Sequence, residues 1–162
     1  MHLEALIKVL ILVTLANAIP VLAKRLFEGR LAYPLDGNLK WFDGHPLFGS
    51  SKTLRGIVLS LALTAAAAPL LGLDAGIGLL AAASAMAGDL VSSFTKRRLG
   101  LAPSSRATGL DQIPESLLPL LACSWALGLN ALDIVVGVAI FMFGGIVLSR
   151  VFYRLRLRDR PY

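Results

Sequence analysis

The stretch ALIKVLILVTLANAIPVLA, residues 5–23, decides the fold class of this chain because Lys8 is its only charged residue. A helix needs roughly 17 to 25 residues to cross a hydrocarbon core of about 30 Å, and this stretch is long enough. A membrane-spanning β-strand would alternate apolar and polar side chains, and this stretch does not alternate. It therefore predicts a transmembrane helix.

Four further apolar segments follow, at 57–73, 75–95, 116–132 and 134–149. The whole chain is 56% hydrophobic, which is above the apolar share of an ordinary soluble domain. The short connections GLDAG and LNALD predict two antiparallel helical hairpins. We therefore predict an all-α integral membrane protein with five transmembrane helices, forming a single membrane domain over 1–162 that passes several times through the cell membrane.

The cations give the orientation of these spans. All Lys and Arg residues except Lys8 lie in three regions, the loop 24–56, the loop 96–115 and the tail 150–162. The positive-inside rule therefore predicts that both loops and the C-terminal tail are cytoplasmic and that the N-terminus is outside. Because topology accounts for the net charge of +6, we expect no nucleic-acid partner.

A cleaved signal peptide is the alternative for the first segment, since ANA and VLA resemble small-residue cleavage sites. Such a peptide carries positive charge before its apolar core. This chain begins MHLEA and places Lys24 and Arg25 after the core, which favours a retained helix.

Polar residues enter where the third apolar segment ends, in GDLVSSFTKRRLGLAPSSRATGLDQIPE, residues 88–115. On a helix, Asp89, Ser92, Ser93 and Lys96 share one face. A carboxylate at membrane depth costs about 2.5 to 3.5 kcal/mol on insertion scales, so it is rarely present without a partner or a task. We interpret Asp89 as a cation-binding carboxylate with an anion site towards Lys96. The plainer alternatives are a packing partner for Asp89 and a topology signal in the basic run 96–98.

Two more carboxylates stand at the start of the next helix, Asp111 and Glu115, in the sequence LDQIPE. Alone they would be an N-terminal cap with acids favoured by the helix dipole. Together with Asp89 they offer the hard oxygen ligands that Mg²⁺ takes alongside substrate phosphates. The two histidines, His2 and His45, do not make a zinc cluster, and the single cysteine excludes a disulfide within one chain.

The other loop contains KWFDGHPLFGSSKTLRG, residues 40–56. It is not a Walker P-loop, because Lys52 does not follow the second glycine directly and no apolar strand precedes it. Its glycines still permit close backbone approach, while Lys52, Thr53 and Arg55 supply donors at a helix start. Three aromatic residues here are typical membrane-interface anchors, with base stacking as the less common alternative: Trp41, Phe42 and Phe48.

These residues indicate a Mg²⁺-dependent enzyme that moves a phosphate-containing group to or from a lipid. A small transporter or anion-binding membrane protein, with Asp89 as a coupling site, is the alternative, although the sequence shows no internal repeat. A structural membrane subunit is a third reading, and it gives the polar loops no role. For the oligomeric state, the sequence is compatible with a homodimer.

The residues FDGHPLFGSSKTLRG and GDLVSSFTKRRLGLAPSSRATGLDQIPE resemble the two signature regions of CDP-archaeol synthases, the archaeal CTP-dependent cytidylyltransferases of ether-lipid synthesis. Through Ser93-x-x-Lys96-Arg97 the chain is more distantly similar to CDP-diacylglycerol synthases. It lacks their later Lys-Asp pair and His-Gly-Gly segment, which argues against diacyl phosphatidate as the natural substrate.

The resemblance implies that CTP and 2,3-di-O-geranylgeranylglyceryl phosphate react to give CDP-archaeol and pyrophosphate, a step in the biosynthesis of archaeal membrane ether lipids. Asp89, Lys96 and Asp111 would be the catalytic residues, and Asp89, Asp111 and Glu115 the Mg²⁺ ligands. The remaining expected substrate-binding residues are Asp43, Gly44, Lys52, Thr53, Arg55, Ser92, Ser93, Arg97 and Gln112.

Overall fold

The computed structural model describes residues 1–102, 105, 107 and 109–154, with side chains described as far as residue 147. It contains five long helices: α1 Leu3–Leu26, α2 Leu54–Ala67, α3 Ala75–Arg98, α4 Gln112–Leu127 and α5 Ala131–Arg154. A 3₁₀ turn, Ala68–Leu71, continues α2. Apart from two isolated β-bridges, the regular structure of the described residues is helical, which confirms the predicted all-α class.

In the part of the chain that the structure describes, three stretches are long and apolar enough to cross a membrane: Leu3–Leu26, Leu54–Leu71 and Ala75–Arg98. In α5 the apolar stretch Ala131–Val147 is shorter. The fourth helix begins and ends earlier than the predicted segment 116–132. It ends earlier because Gly128 adopts a left-handed conformation, φ 67, which stops the helix. The predicted tail from residue 150 starts inside α5, whose helix continues to Arg154.

The first helix is the centre of the bundle, since it packs against each of the other four. Its buried face carries Leu6, Val9, Leu12, Val13 and Ala16, all of them fully inaccessible. The outward surfaces of the bundle carry large exposed apolar side chains, as expected where helices face lipid: Ile7, Val58, Leu79, Trp125 and Phe143.

The bundle has two distinct ends. One end, which we call the far end, holds the starts of α1 and α5. There the backbone N–H and the ring Nδ1 of His2 both lie 3.1 Å from the buried carboxylate of Asp133. The same carboxylate accepts from Asn130 N–H at 3.1 Å, while Asn130 Oδ1 accepts from Asp133 N–H at 3.0 Å, a reciprocal cap at the start of α5. Both long loops lie at the opposite end, which we call the loop end: residues 27–53 and the described residues between 99 and 111.

A buried serine repairs a defect in α1. Pro20 has no N–H, so the carbonyl of Ala16, four residues earlier, loses its partner within the helix. The hydroxyl of Ser60 in α2 donates to that carbonyl at 2.8 Å. Gly56 lets the two helices approach, because a Cβ there would lie 3.1 Å from Pro20 Cβ. The α1–α2 contact is thus fixed beside the loop end.

The third and fourth helices approach even more closely. A Cβ added to Gly88 would lie 2.2 Å from the carbonyl oxygen of Pro114. Small residues at such crossings are typical of membrane helices, where van der Waals packing and hydrogen bonds replace the hydrophobic drive. This contact places the start of α4 directly beside Asp89.

Candidate functional site

The first loop is organised by a residue that sequence reasoning missed, Asp36. Its side chain is 5% exposed, and its oxygens accept from the N–H groups of Asn38 at 3.1 Å, Phe48 at 2.9 Å and Gly49 at 2.9 Å. Burial opposes the charge, but these N–H donors outweigh it and lower the pKa of Asp36. The dipeptide Asp36-Gly37 is a turn signal, whereas the partners twelve and thirteen residues later leave no local pattern.

Asp36 joins the start of this loop to its end. Next to it, the N–H of Leu35 donates to the carbonyl of Lys52 at 2.7 Å, and Pro34 pairs with Thr53 in an isolated bridge. The side chain of Thr53 caps α2 by accepting from Gly56 N–H at 3.2 Å. The backbone around Lys52 is therefore fixed on both sides.

Lys52 extends from this frame to the third helix. Its Nζ lies 2.5 Å from both carboxylate oxygens of Asp89. Glu115 stands close by, because a Cβ on Gly88, the residue before Asp89, would lie 2.8 Å from the backbone nitrogen of Glu115, so segments of the first loop, α3 and α4 converge here. The structure thus brings two of the three predicted metal-ligand residues, Asp89 and Glu115, into one neighbourhood, with Lys52 paired to Asp89.

The third predicted ligand, Asp111, has different neighbours. Its Oδ1 lies 2.6 Å from Lys96 Nζ, and its Oδ2 accepts from Ala107 N–H at 2.9 Å. Lys96 also donates to the carbonyl of Ser105 at 3.0 Å. Among the described residues, no three His, Cys, Asp or Glu side chains stand close enough to hold a metal as they are placed. The site therefore consists of two acid–lysine pairs, Lys52–Asp89 and Lys96–Asp111, with Glu115 close to the first pair.

Several predicted binding residues hold the second loop in place. The hydroxyl of Ser92 donates to the carbonyls of Gly88 and Leu110, each at 2.9 Å. Gln112 Oε1 accepts from Gly109 N–H at 2.7 Å. Ser93 is 2% exposed. Ser92 and Lys96 are also buried and Asp89 is half-buried, so the predicted polar face of α3 is covered or partly covered along its length.

The arginines divide into two groups. Arg97 is 4% exposed and donates to the carbonyl of Ala102 at 2.9 Å, beside the Lys96 pair. Arg55 instead contacts the end of α1, where it donates to the carbonyl of Arg30 and lies over the ring of Phe27 at 5.4 Å. The predicted cation Arg106 and the side chains of the basic tail lie outside the described residues.

The first loop also forms a hairpin, residues 40–46, held by the bridge between Lys40 and Pro46. Its turn uses Gly44 at φ 79, a left-handed conformation that glycine adopts without strain. Arg98, at the end of α3, fixes the hairpin through Asp43 Oδ1 at 3.1 Å and the carbonyl of Pro46 at 2.6 Å. Asp43 and Gly44 were predicted binding residues, while Arg98 was not singled out as one.

The chain is similar to known proteins in sequence. A family profile described as CarS-like CDP-archaeol synthase matches residues 71–162. The CDP-archaeol synthase of Sulfurisphaera tokodaii is 33% identical over 135 residues, covering 80% of this chain and 81% of the relative. That of Aeropyrum pernix is 41% identical over 120 residues, covering 70% and 65%.

A solved structure, described as an intramembrane enzyme for archaeal membrane lipids biosynthesis, is also similar to this chain. It superposes with a TM-score of 0.65 at 30% sequence identity, over 86% of this chain and 91% of the solved one. Fold and sequence thus point to the same group of proteins.

Proposed function

The chain belongs to the CDP-archaeol synthase family, and from this premise we propose that it transfers the cytidylyl group of CTP to an isoprenoid ether-lipid phosphate. We take 2,3-di-O-geranylgeranylglyceryl phosphate as the lipid and CDP-archaeol and pyrophosphate as the products. The observation that carries the proposal is the Lys52–Asp89 ion pair, beside the start of α4 that carries Glu115, at the loop end of an apolar helical bundle. An enzyme that joins a soluble nucleotide to a lipid needs its charged groups at that boundary.

The reaction forms a bond between an oxygen of the lipid phosphate and the α-phosphorus of CTP. The bond from that phosphorus to the oxygen bridging it to the β-phosphate breaks, and pyrophosphate leaves with the electron pair. The lipid phosphate is already anionic, so no strong general base is required. The main obstacles are repulsion between anions and the charge that grows on the leaving group.

The cations of this chain can reduce both the repulsion between the anions and the charge on the leaving group. Lys52 and Lys96 stand at the acids of the site, and Arg97 lies next to Lys96 with little exposure to water. In a partly buried site, such charges act on phosphate oxygens more strongly than they would in open water. We assign Lys96 and Arg97 to the phosphates, together with the hydroxyl of Ser93 in α3 and with Lys52 and Thr53 of the first loop.

The acids fit a magnesium ion. Mg²⁺ is usually held by one or two carboxylates together with substrate phosphates, and the pair Asp89 and Glu115, carried by the two helices that pack together at Gly88, matches that pattern. We assign these two to the ion, with Asp111 as the third candidate. When bound, the ion would supply charge stabilisation for the phosphates that the protein side chains supply only in part.

The membrane placement follows from the same proposal. Helices long enough to span, with exposed apolar surfaces, fit a multi-pass protein of the cell membrane. Cytosolic CTP requires the loop end to be cytoplasmic, which agrees with the cations of the 24–56 loop.

The test is direct. Purified protein with CTP, Mg²⁺ and the geranylgeranyl ether phosphate is expected to form CDP-lipid and pyrophosphate in equal amounts, and a chelator should stop the reaction. Asp89→Asn should lower the rate at least about a hundredfold, the range seen when one preorganised charge-stabilising group is removed.

Asp74→Asn is the matched control, because Asp74 only caps the start of α3 at the far end, where it accepts from Gly76 N–H. It should keep the wild-type rate. Binding of Mn²⁺, followed by electron paramagnetic resonance, gives a second readout for the Asp89 variant. Wild-type turnover or unchanged Mn²⁺ binding in Asp89→Asn would contradict the assignment.

A further inference from the structure

The segment 24–33, which we call the juxtamembrane segment, joins the last turn of α1 to the first loop, and every one of its residues is exposed. Four of them are large and apolar: Leu26 is 79% exposed, Phe27 43%, Leu31 64% and Tyr33 69%. Since the apolar run of α1 ends at residue 23, the segment lies where hydrocarbon gives way to headgroups. Apolar side chains exposed together in this way mark a surface that contacts a membrane or another protein.

The juxtamembrane segment also carries three cations and one acid. Lys24, Arg25 and Arg30 are all exposed, and Glu28 is the single carboxylate. The ion pairs among the described residues involve other cations, so no described carboxylate neutralises these three. Cations beside exposed apolar groups complement an anionic lipid surface, where headgroups attract the charge and the acyl boundary takes up the apolar side chains.

The backbone of the juxtamembrane segment is held in one shape. The N–H of Arg30 donates to the carbonyl of Phe27 at 2.9 Å, and Glu28 and Leu31 have φ values of 47 and 55. This left-handed conformation is unfavourable for residues with a Cβ, so it persists where the surroundings fix it. Arg55 of α2 does so, because it donates to the carbonyl of Arg30 and lies over the ring of Phe27. A strained turn thus keeps apolar and basic side chains on the outside of the bundle.

We propose that the juxtamembrane segment is a binding surface for anionic phospholipids of the leaflet at the loop end, with its three cations against the headgroups and its apolar side chains among the first carbons of the lipid chains. The inference goes beyond the proposed function, since it needs neither the nucleotide nor the acids of the site. A lipid surface is a better occupant than a second protein, because Lys24 and Arg25 belong to the last turn of a membrane-spanning helix and stay at headgroup level.

The experiment uses the full chain in nanodiscs that contain two photoactivatable lipids, phosphatidylglycerol and phosphatidylcholine, which differ only in the headgroup. Mass spectrometry measures how much of each lipid is attached to residues 24–33. A cation near an anionic surface strengthens binding about fivefold, so wild-type protein should favour phosphatidylglycerol by at least about that factor. The preference should fall as salt is raised, because salt screens exposed charges.

The variant Arg25→Gln/Arg30→Gln should bring the ratio of the two lipids close to that of their mole fractions. It leaves the contact with Arg55 in place, since that contact uses the main-chain carbonyl of Arg30. Lys8→Gln is the matched control, because Lys8 is a cation of the same helix at the far end, and it should keep the wild-type ratio.

Three results would overturn the inference. The first is equal attachment of the two lipids in wild-type protein, and the second is a phosphatidylglycerol preference that survives in the double variant or disappears in Lys8→Gln. The third is displacement of the lipid by inorganic phosphate beyond the effect of chloride at equal ionic strength, which would show a site for free anions instead.

The apolar part of the surface has its own test. Leu31→Ser should lower attachment of both lipids to the segment while leaving their ratio and the Tm in detergent unchanged. Leu132→Ser is the matched control, because Leu132 is 62% exposed at the far end, and it should leave attachment to the segment unchanged. If Leu31→Ser lowers the Tm in detergent or keeps wild-type attachment, the leucine does not insert among the lipid chains.

Discussion

Replacing Gly88 by alanine should disable the site through packing alone. The added Cβ would lie 2.2 Å from the carbonyl oxygen of Pro114, 2.5 Å from its carbon and 2.8 Å from the backbone nitrogen of Glu115. All three are backbone atoms, so no side chain can rotate away. Since ordinary contact begins near 3.4 Å, the first turn of α4 must move by about 1 Å.

That movement carries Glu115 away from Asp89. A misplacement of about 1 Å can reduce a rate about a hundredfold when reacting groups are held by the scaffold. Overpacking should also cost about 1 to 3 kcal/mol of stability. For a protein of this length each kcal/mol corresponds to roughly 2 to 4 °C in Tm.

The assay measures CDP-lipid formation and thermal unfolding of the same detergent preparation. Gly144→Ala is the matched control, because a Cβ at that position meets nothing within 4 Å. It should leave both quantities near their wild-type values. A Gly88→Ala protein with wild-type rate and Tm would show that the α3–α4 contact does not position the acids.

Three further changes probe the scaffold and the site. Ser60→Ala leaves the Ala16 carbonyl without its donor and should cost about 1 kcal/mol, visible in thermal unfolding, whereas Ser84→Ala, which loses a bond within its own helix, should cost less. Because the pKa of Asp36 is lowered by folding, the stability that its carboxylate contributes is present above the pKa of the unfolded carboxyl and lost as the pH falls through the folded value. Asp36→Asn should therefore reduce amide-exchange protection of the first loop at neutral pH and remove its acid dependence. Lys52→Gln should lower turnover at least about tenfold, and a normal rate would remove Lys52 from the phosphate assignment.

The helices were predictable because each apolar run is continuous and each connection is short. The ends of α4 were not, since the run of apolar residues continues past Gly128 while the backbone turns there. The face of α3 that carries Asp89 and Lys96 was also predictable from helical spacing alone. Both residues lie there with partners from other segments.

The partners themselves left no signal in the sequence. Lys52 and Asp89 are 37 positions apart, and Asp36 finds its donors only after the loop has folded back. Ser60 looks like one more small residue of an apolar helix until Pro20 is placed beside it. Contacts of this kind depend on the packing of the whole bundle, which local periodicity does not contain.

The two acid–lysine pairs share an order along the chain. In each, the lysine precedes its acid: Lys52 before Asp89, and Lys96 before Asp111. During synthesis the positive partner is thus already at the membrane boundary when the carboxylate emerges. Each acid can be neutralised on arrival, and the nascent protein avoids the cost of leaving a bare negative charge at the edge of the lipid.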